Sequence, residues 1–340
     1  MEGTGDKGKV VVVMGATATG KSKLAIDLAM LFDGEVINSD KIQVYDGLDI
    51  VTNKVSEEER AGVPHHLIGG VHQDADYDIE DFRRDATRAV KSVLARGRLP
   101  IIAGGSNRYL EALLDSEPGF RQQHELCFLW VDSHLPVLHR YVRHRVDRMM
   151  ELGLVDEVRE LFRLDADYSR GIRRSIGVPE MDTYFRQEAT GALLNGDNDA
   201  LLASAIGEIK ANTCRLARRQ LQKIHRLRGL PGWSLRRFDV TRVLELKVQI
   251  SASKDTKEEE CAAWEADVVV PATRVVEMFL LGGNVVNSGR DEQPVIVPMD
   301  VAVPGAGATA ETWCGLRLLE TTASRPDRGV FHGMEAAAAV

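Results

Sequence analysis

Residues 15–22 read Gly-Ala-Thr-Ala-Thr-Gly-Lys-Ser, which fits the spacing G-x-x-x-x-G-K-[ST]. Glycines at both ends let the backbone of such a loop wrap an anion, with successive N–H groups turned inward. Lys21 adds a point charge, and the Ser22 hydroxyl can ligate Mg²⁺ bound to phosphates. A helix starting at the loop would add its positive dipole end. The chemistry is therefore diphosphate binding, through Gly15, Ala16, Thr17, Ala18, Thr19, Gly20, Lys21 and Ser22. Which molecule carries the diphosphate does not follow from the motif. A second reactive group, Asp40, closes the triplet Asn38-Ser39-Asp40. An acid near a phosphate loop can order Mg²⁺ or activate an acceptor hydroxyl. An Asp at a strand exit also serves as a turn cap. At this level a small-molecule kinase, a nucleotide hydrolase and another diphosphate-handling enzyme all remain open.

The flanking elements are those that such a loop requires. Residues 9–14 (KVVVVM) form a β-branched run suited to a parallel strand buried on both faces, and 21–32 carry apolar residues at helical spacing. A second strand is expected at 35–38, with Asp40 at its carboxyl end, where open α/β sheets bind ligands. A helix over 77–95 and strands at 99–103 and 125–131 follow, with Gly104-Gly105 ending the first of these strands. This alternation predicts an α/β fold, a P-loop NTPase-like parallel sheet flanked by helices, with a small helical insert. Helices are expected at 140–164 (broken near Gly153), 182–189, 200–228 and 264–281, where Pro271 interrupts, and a strand at 240–250. The domain reading is a core of 9–150 and 205–282, an insert of 150–205, and a disordered tail over 283–340, rich in Gly, Ala, Pro, Thr and Ser.

Composition narrows the partners. The net charge of −8 over 340 residues argues against a nucleic-acid binder, which usually carries a basic excess. Cys127, Cys214, Cys261 and Cys314 are far apart and form no CxxC pair, so a Cys-based zinc site is not expected, and His65-His66 alone are poor metal candidates. No apolar run reaches about 18 residues, so no membrane span is expected. Residues 1–9 lack the character of a secretory signal or an organelle transit peptide, and a cytoplasmic protein is expected rather than a plastid one.

Several segments together resemble the isopentenyltransferase family: GATATGKSKLA (15–25), INSDKIQVYDGLDIVTNKV (37–55), VPHHLIG (63–69), AGGSNRYLEALL (103–114), RVDRMMELGLVDEV (145–158), GIRRSIGVPEM (171–181) and IKANTCRLARRQLQKI (209–224). The resemblance covers residues from about 10 to 280, in family order. It implies transfer of a dimethylallyl group from dimethylallyl diphosphate to the exocyclic amine of adenine. TNKV at 52–55, GGSNRY at 104–109, and the IGVPE and NTCRLA stretches look like the plant adenylate branch, which acts on ADP, ATP or AMP, rather than the tRNA-modifying branch. By resemblance the loop holds the prenyl diphosphate, with Mg²⁺ as cofactor and Ser22 as its protein ligand. Asp40 would accept the proton of the amine, and Lys21 and Arg219 would act on the leaving diphosphate. Ser106, Arg145, Lys210 and Thr213 would border the phosphates, Lys210 on the nucleotide side. A monomer is expected, with no nucleic-acid partner. Two positions depart from the family: Ala18, where relatives often have Gly or Ser, and Arg108, where they often have a smaller residue.

Overall fold

The Val10–Val13 run has no polar position to offer solvent, so it can sit only in the middle of a sheet covered on both faces. In the computed structural model, which describes residues 7–115, 119–191, 197–249 and 254–282, it does so as β1 (Gly8–Gly15), with Val10 to Met14 fully buried. The phosphate loop follows, then α1 (Lys21–Leu31) and β2 (Gly34–Asn38). A short α2 (Glu57–Arg60) and the two-residue β3 (His65–His66) precede α3 (Ile79–Ala95). Asp78 caps α3 by accepting the amides of Glu80 and Asp81, which fixes its start two residues inside the expected range. β4 (Leu99–Ala103), α4 (Asn107–Asp115), α5 (Phe120–Gln123) and β5 (His124–Asp132) complete the first half.

All strand pairs are parallel, in the order β3-β2-β4-β1-β5 and then β6 (Leu235–Asp239). Register puts Val13 beside Ala103, and Ala103 beside Asn38. The carboxyl ends of β1, β4 and β2 therefore finish at one level, and their three loops open onto one edge of the sheet.

The helical half contains α6 (Leu135–Glu151) and α7 (Leu154–Leu161), separated at Gly153 as expected. Two 3₁₀ turns, Gly171–Arg174 and Pro179–Met181, lead to α8 (Asp182–Thr190) and the 32-residue α9 (Asp197–Arg228). The strand expected at 240–250 is instead the helix α10 (Thr241–Val248), and the edge strand lies just before it, at β6. Asp239 explains the switch: its Oδ1 accepts the Thr241 amide, turning the chain out of the sheet. Val243 and Leu244 are then both buried as neighbours on this helix. The last helix is compound: α11 (Lys254–Trp264), a π-helical turn Glu265–Val269, and α12 (Val270–Leu280), with Pro271 in the first turn of α12. The expected tail over 283–340 lies outside the described residues. No helix among the described residues is long and apolar enough to cross a membrane.

Candidate active site

The phosphate loop is built by packing as much as by its glycines. Thr19, fully buried, donates its hydroxyl to the Ala16 carbonyl at 2.9 Å, closing the loop on itself. The first intrahelical bond of α1 runs from Leu24 N–H to Gly20 O at 3.0 Å. The amides of Lys21, Ser22 and Lys23 therefore lie at the open N-terminus of the helix, where an anion is favoured. The Lys21 ammonium reaches back over the loop to the Ala16 carbonyl at 2.6 Å. Burial lowers its pKa to about 8, with Asp40 acting in the opposite sense and Arg145 adding to the fall. Lys21, Asp40 and Arg145 thus share one electrostatic environment. Ala18 sits at φ 69°, the left-handed region that favours glycine.

Arg145, on α6, enters the loop from the side: its Nη2 donates to Thr17 Oγ1 at 2.8 Å. Desolvation holds its pKa below the ordinary value, and its Nε is buried with no hydrogen-bond partner among the described residues. Ser22 is exposed on the loop face.

Across the cleft, Asp40 is half-buried at the β2 exit. Its Oδ1 accepts the Ile42 amide at 2.9 Å, and its own amide donates to Asn38 Oδ1 at 3.1 Å. The turn-cap role is therefore real, but it uses one carboxylate oxygen; Oδ2 has no hydrogen-bond partner among the described residues. Asn38 Nδ2 anchors the turn to the Leu67 carbonyl at 2.8 Å. Ser106 lies beside this turn, and its Oγ accepts the Lys41 amide at 3.0 Å. It ties the β4 exit to the β2 exit and keeps its own hydroxyl proton for donation. Gly104 permits that closeness, since a Cβ there would overlap the Ser39 hydroxyl and backbone.

The residues of α9 are placed differently. Lys210 is ion-paired to Asp147 on α6 at 2.5 Å. Thr213 is buried and donates its hydroxyl to the Ile209 carbonyl one turn back, at 2.8 Å. Arg219 is exposed, and no hydrogen bond or ion pair of described residues links it to the loop. Its neighbour Gln220 does reach the loop: Oε1 accepts the Thr17 amide at 2.7 Å, and Nε2 donates to the Gly105 carbonyl at 3.0 Å. Thr17 is therefore gripped at its amide by Gln220 and at its hydroxyl by Arg145. Arg108 is exposed.

A second group that the sequence did not flag surrounds Asp40. Lys41 has its pKa lowered by burial first and then by the nearby Arg174 charge, with Lys223 contributing in the same sense. Arg174 donates to the Tyr45 hydroxyl at 3.1 Å. Burial pushes Tyr109 up to about 12, with Arg174 opposing and Tyr45 and Asp40 reinforcing the rise. Lys41 thus shares its surroundings with Asp40 and with two further cations, Arg174 and Lys223. Among the described residues no three His, Cys, Asp or Glu side chains gather to hold a metal ion.

A family profile described as IPP transferase matches residues 43–125 and 116–226. An "Adenylate isopentenyltransferase 5, chloroplastic" of Arabidopsis thaliana is 53% identical over 81% of both chains. An "Adenylate isopentenyltransferase 7, mitochondrial" of the same plant is 48% identical over 82% of both. Among solved structures, a full-length tRNA isopentenylpyrophosphate transferase from Bacillus halodurans superposes with TM-score 0.57 at 26% identity, covering 81% of this chain and 99% of that one. The chloroplastic and mitochondrial relatives overturn the expectation of a cytoplasmic protein. Compartment is addressed by features that import machinery reads and the catalytic core does not need, so the motifs of residues 10–280 carried no information on it. Family segments, sheet order and strand-exit geometry agree, and the chain belongs to the IPP transferase family, in its adenylate isopentenyltransferase branch.

Proposed function

We propose that this enzyme transfers the dimethylallyl group of dimethylallyl diphosphate to the exocyclic amine of adenine in ADP or ATP, and to AMP more weakly. The loop holds the donor as leaving group. The allylic C–O bond breaks with its electron pair staying on the diphosphate, the amine nitrogen forms the new C–N bond, and its proton passes to Asp40 Oδ2. Lys21, Arg145 and the N-terminal amides of α1 stabilise the charge that develops on the departing diphosphate. The amine is a weak nucleophile because its lone pair is delocalised into the ring, so a positioned base gains the most at this atom. The carrying observation is that Asp40, at the β2 exit two strands across the sheet edge from the β1 exit, lies in the electrostatic range of Lys21, with one carboxylate oxygen free of hydrogen-bond partners among the described residues.

Lys41, which is coupled to Asp40, Arg174 and Lys223, supports the preference for di- and triphosphates as part of a group of positive charges in the surroundings of the acid. The loop also fits Mg²⁺: Ser22 is exposed, and its hydroxyl can serve a cation that takes most of its ligands from diphosphate and water. Bound there, Mg²⁺ would neutralise diphosphate charge alongside Lys21. The compartment is an organelle, as for the named relatives.

The test is an acceptor panel with dimethylallyl diphosphate and Mg²⁺: ADP, ATP, AMP and an unmodified anticodon stem-loop in competition. Prenylated ADP and ATP are expected to dominate, and preference for the RNA would overturn the assignment. Asp40→Ala should lower kcat by about 10²–10⁴-fold with diphosphate binding retained. Unchanged turnover would remove Asp40 as the base.

A further inference from the structure

The loop end at Gly20 is packed against a residue 244 positions away in sequence. Trp264, the last residue of α11, lies on Gly20. Gly20 has φ 89°, and a Cβ built on it would come 2.9 Å from Trp264 Cη2 and Cζ3. The indole therefore fills the space beside the glycine that turns the loop into α1. Its ring is locked in place. Trp264 is 4% exposed, and its Nε1 donates to Asp27 Oδ2 at 2.8 Å. The same carboxylate oxygen takes the Lys23 ammonium at 2.9 Å, and that ammonium lies 4.5 Å from the Trp264 ring centroid. Trp264, Asp27 and Lys23 thus form a closed triangle of hydrogen bond, ion pair and cation–π contact, one turn beyond Lys21 and Ser22. The backbone changes to a π-helical turn immediately after Trp264. Such turns widen a helix locally and redirect its side chains, often next to functional sites.

We infer that Trp264 is a positioning residue for the phosphate loop: it fixes the Gly20 end of the loop, and so the amides of Lys21 and Ser22, in the geometry that receives the donor diphosphate. This rests on the proposed role of the loop as the diphosphate cradle. The geometry also makes the effect one-sided. The triangle touches the loop and α1, whereas the acceptor side around Asp40, Lys41 and Arg174 is carried by the β2 exit and the 3₁₀ turn Gly171–Arg174. Loosening Trp264 should therefore weaken donor recognition and leave acceptor recognition intact.

The experiment uses the full chain and its Trp264→Leu and Trp264→Phe variants, with inorganic pyrophosphate as the binding probe and steady-state kinetics in both substrates. Phe keeps a ring against Gly20 and loses the N–H; Leu loses both. Pyrophosphate Kd and donor KM should rise roughly tenfold in Trp264→Leu and a few-fold in Trp264→Phe, with the nucleotide KM unchanged. Pyrophosphate should also change tryptophan emission in the wild type and not in Trp264→Phe. If Trp264→Leu fails to fold, Trp264→Phe decides alone. Pyrophosphate affinity and donor KM within twofold of wild type would overturn the inference, and so would a parallel rise in both KM values, the mark of general loosening. If the wild type itself binds no pyrophosphate, the reading of the loop falls, and this inference with it.

Discussion

Lys21→Met should make the free enzyme more stable while disabling it. Lys21 is an ammonium held in a desolvated loop, and its pKa falls from 10.5 to about 8. That fall corresponds to roughly 3 kcal/mol of unfavourable burial of the charged form. The folded state binds fewer protons than the unfolded state between about pH 8 and 10.5, so stability rises with pH across that window. Below about pH 8 the full penalty is present. Met has a similar length and no charge, so it removes the penalty. It also removes the 2.6 Å bond from Nζ to the Ala16 carbonyl, a loss of about 1 kcal/mol. The net expectation at pH 7 is a gain of about 2 kcal/mol, or roughly 3 °C in Tm for a chain of this length. At pH 10.5 the gain should vanish, because the wild type no longer carries most of the penalty. Turnover should fall about 10²–10³-fold, the typical cost of losing one group that stabilises a developing anion. Calorimetry at pH 7 and near pH 10, beside a single-turnover prenylation assay, measures both halves. A variant that melts below the wild type at pH 7 would refute the electrostatic account of the loop. So would a stability gain that does not depend on pH.

Two further outcomes follow from local geometry. Ala18→Gly should change stability by less than about 0.5 kcal/mol, because relief of the left-handed φ is offset by the extra freedom of Gly in the unfolded chain, whereas Ala18→Val should cost about 1–2 kcal/mol in urea melts and raise donor KM. Equal effects of the two changes would show that backbone conformation at 18 does not matter. Glu35, with its side chain only 3% exposed, is held at a pKa of about 2, first by its hydrogen bond from Arg96 and also by His66. Its stabilising contribution is present above the ordinary carboxylate pKa and is lost as pH falls toward 2, so Glu35→Gln should cost up to about 3 kcal/mol at pH 7 and much less at pH 3. Urea midpoints at the two pH values check the sign, and a penalty that grows on acidification would contradict it.

How far the sequence could be read depended on how local each feature is. The loop was legible because its chemistry is contiguous: eight residues between a buried strand and an amphipathic helix. Asp40 was legible because a strand exit in a parallel sheet has a fixed address. The 240–250 segment misled because its apolar residues satisfy either period over so short a run. The decision was made by one hydrogen bond, from the Thr241 amide to Asp239. The two-residue β3 is too short for any period to show; its pairing is set by β2 beside it. On α9 the family resemblance points to Arg219, and the structure adds its neighbour Gln220 as a residue that touches the loop. A signal did exist, since Thr213, Ala217, Gln220 and Ile224 follow helical spacing and all are buried. A glutamine on an inward stripe must find partners, and here they are Thr17 and Gly105. Trp264 gave no comparable sign, because its partners Gly20, Lys23 and Asp27 are more than 230 residues away in sequence and only the fold brings them together.

Why a phosphate loop should serve prenyl transfer can be argued from the charges around it. When the allylic C–O bond breaks, the leaving diphosphate gains negative charge in place, while the amine nitrogen on the other side becomes acidic. The loop end supplies two cations, Lys21 and Arg145, both desolvated enough that their charged forms are disfavoured in the free protein. Such cations interact more strongly with the developing diphosphate charge than fully hydrated ones would, because little water screens them. The opposite end supplies an acid whose free oxygen can take the proton, in a turn tied to the β4 exit through Ser106. Lys41, coupled to Asp40, Arg174 and Lys223, belongs to a group of positive charges that, on the proposed reading, would offset the repulsion the acceptor's phosphates meet from Asp40 and from the donor. On the proposed reading, a nucleotide whose phosphates are drawn to these cations would keep its polyphosphate out of the loop. The loop would then be left to a diphosphate that carries no base, with the nucleotide as acceptor and not the group cleaved.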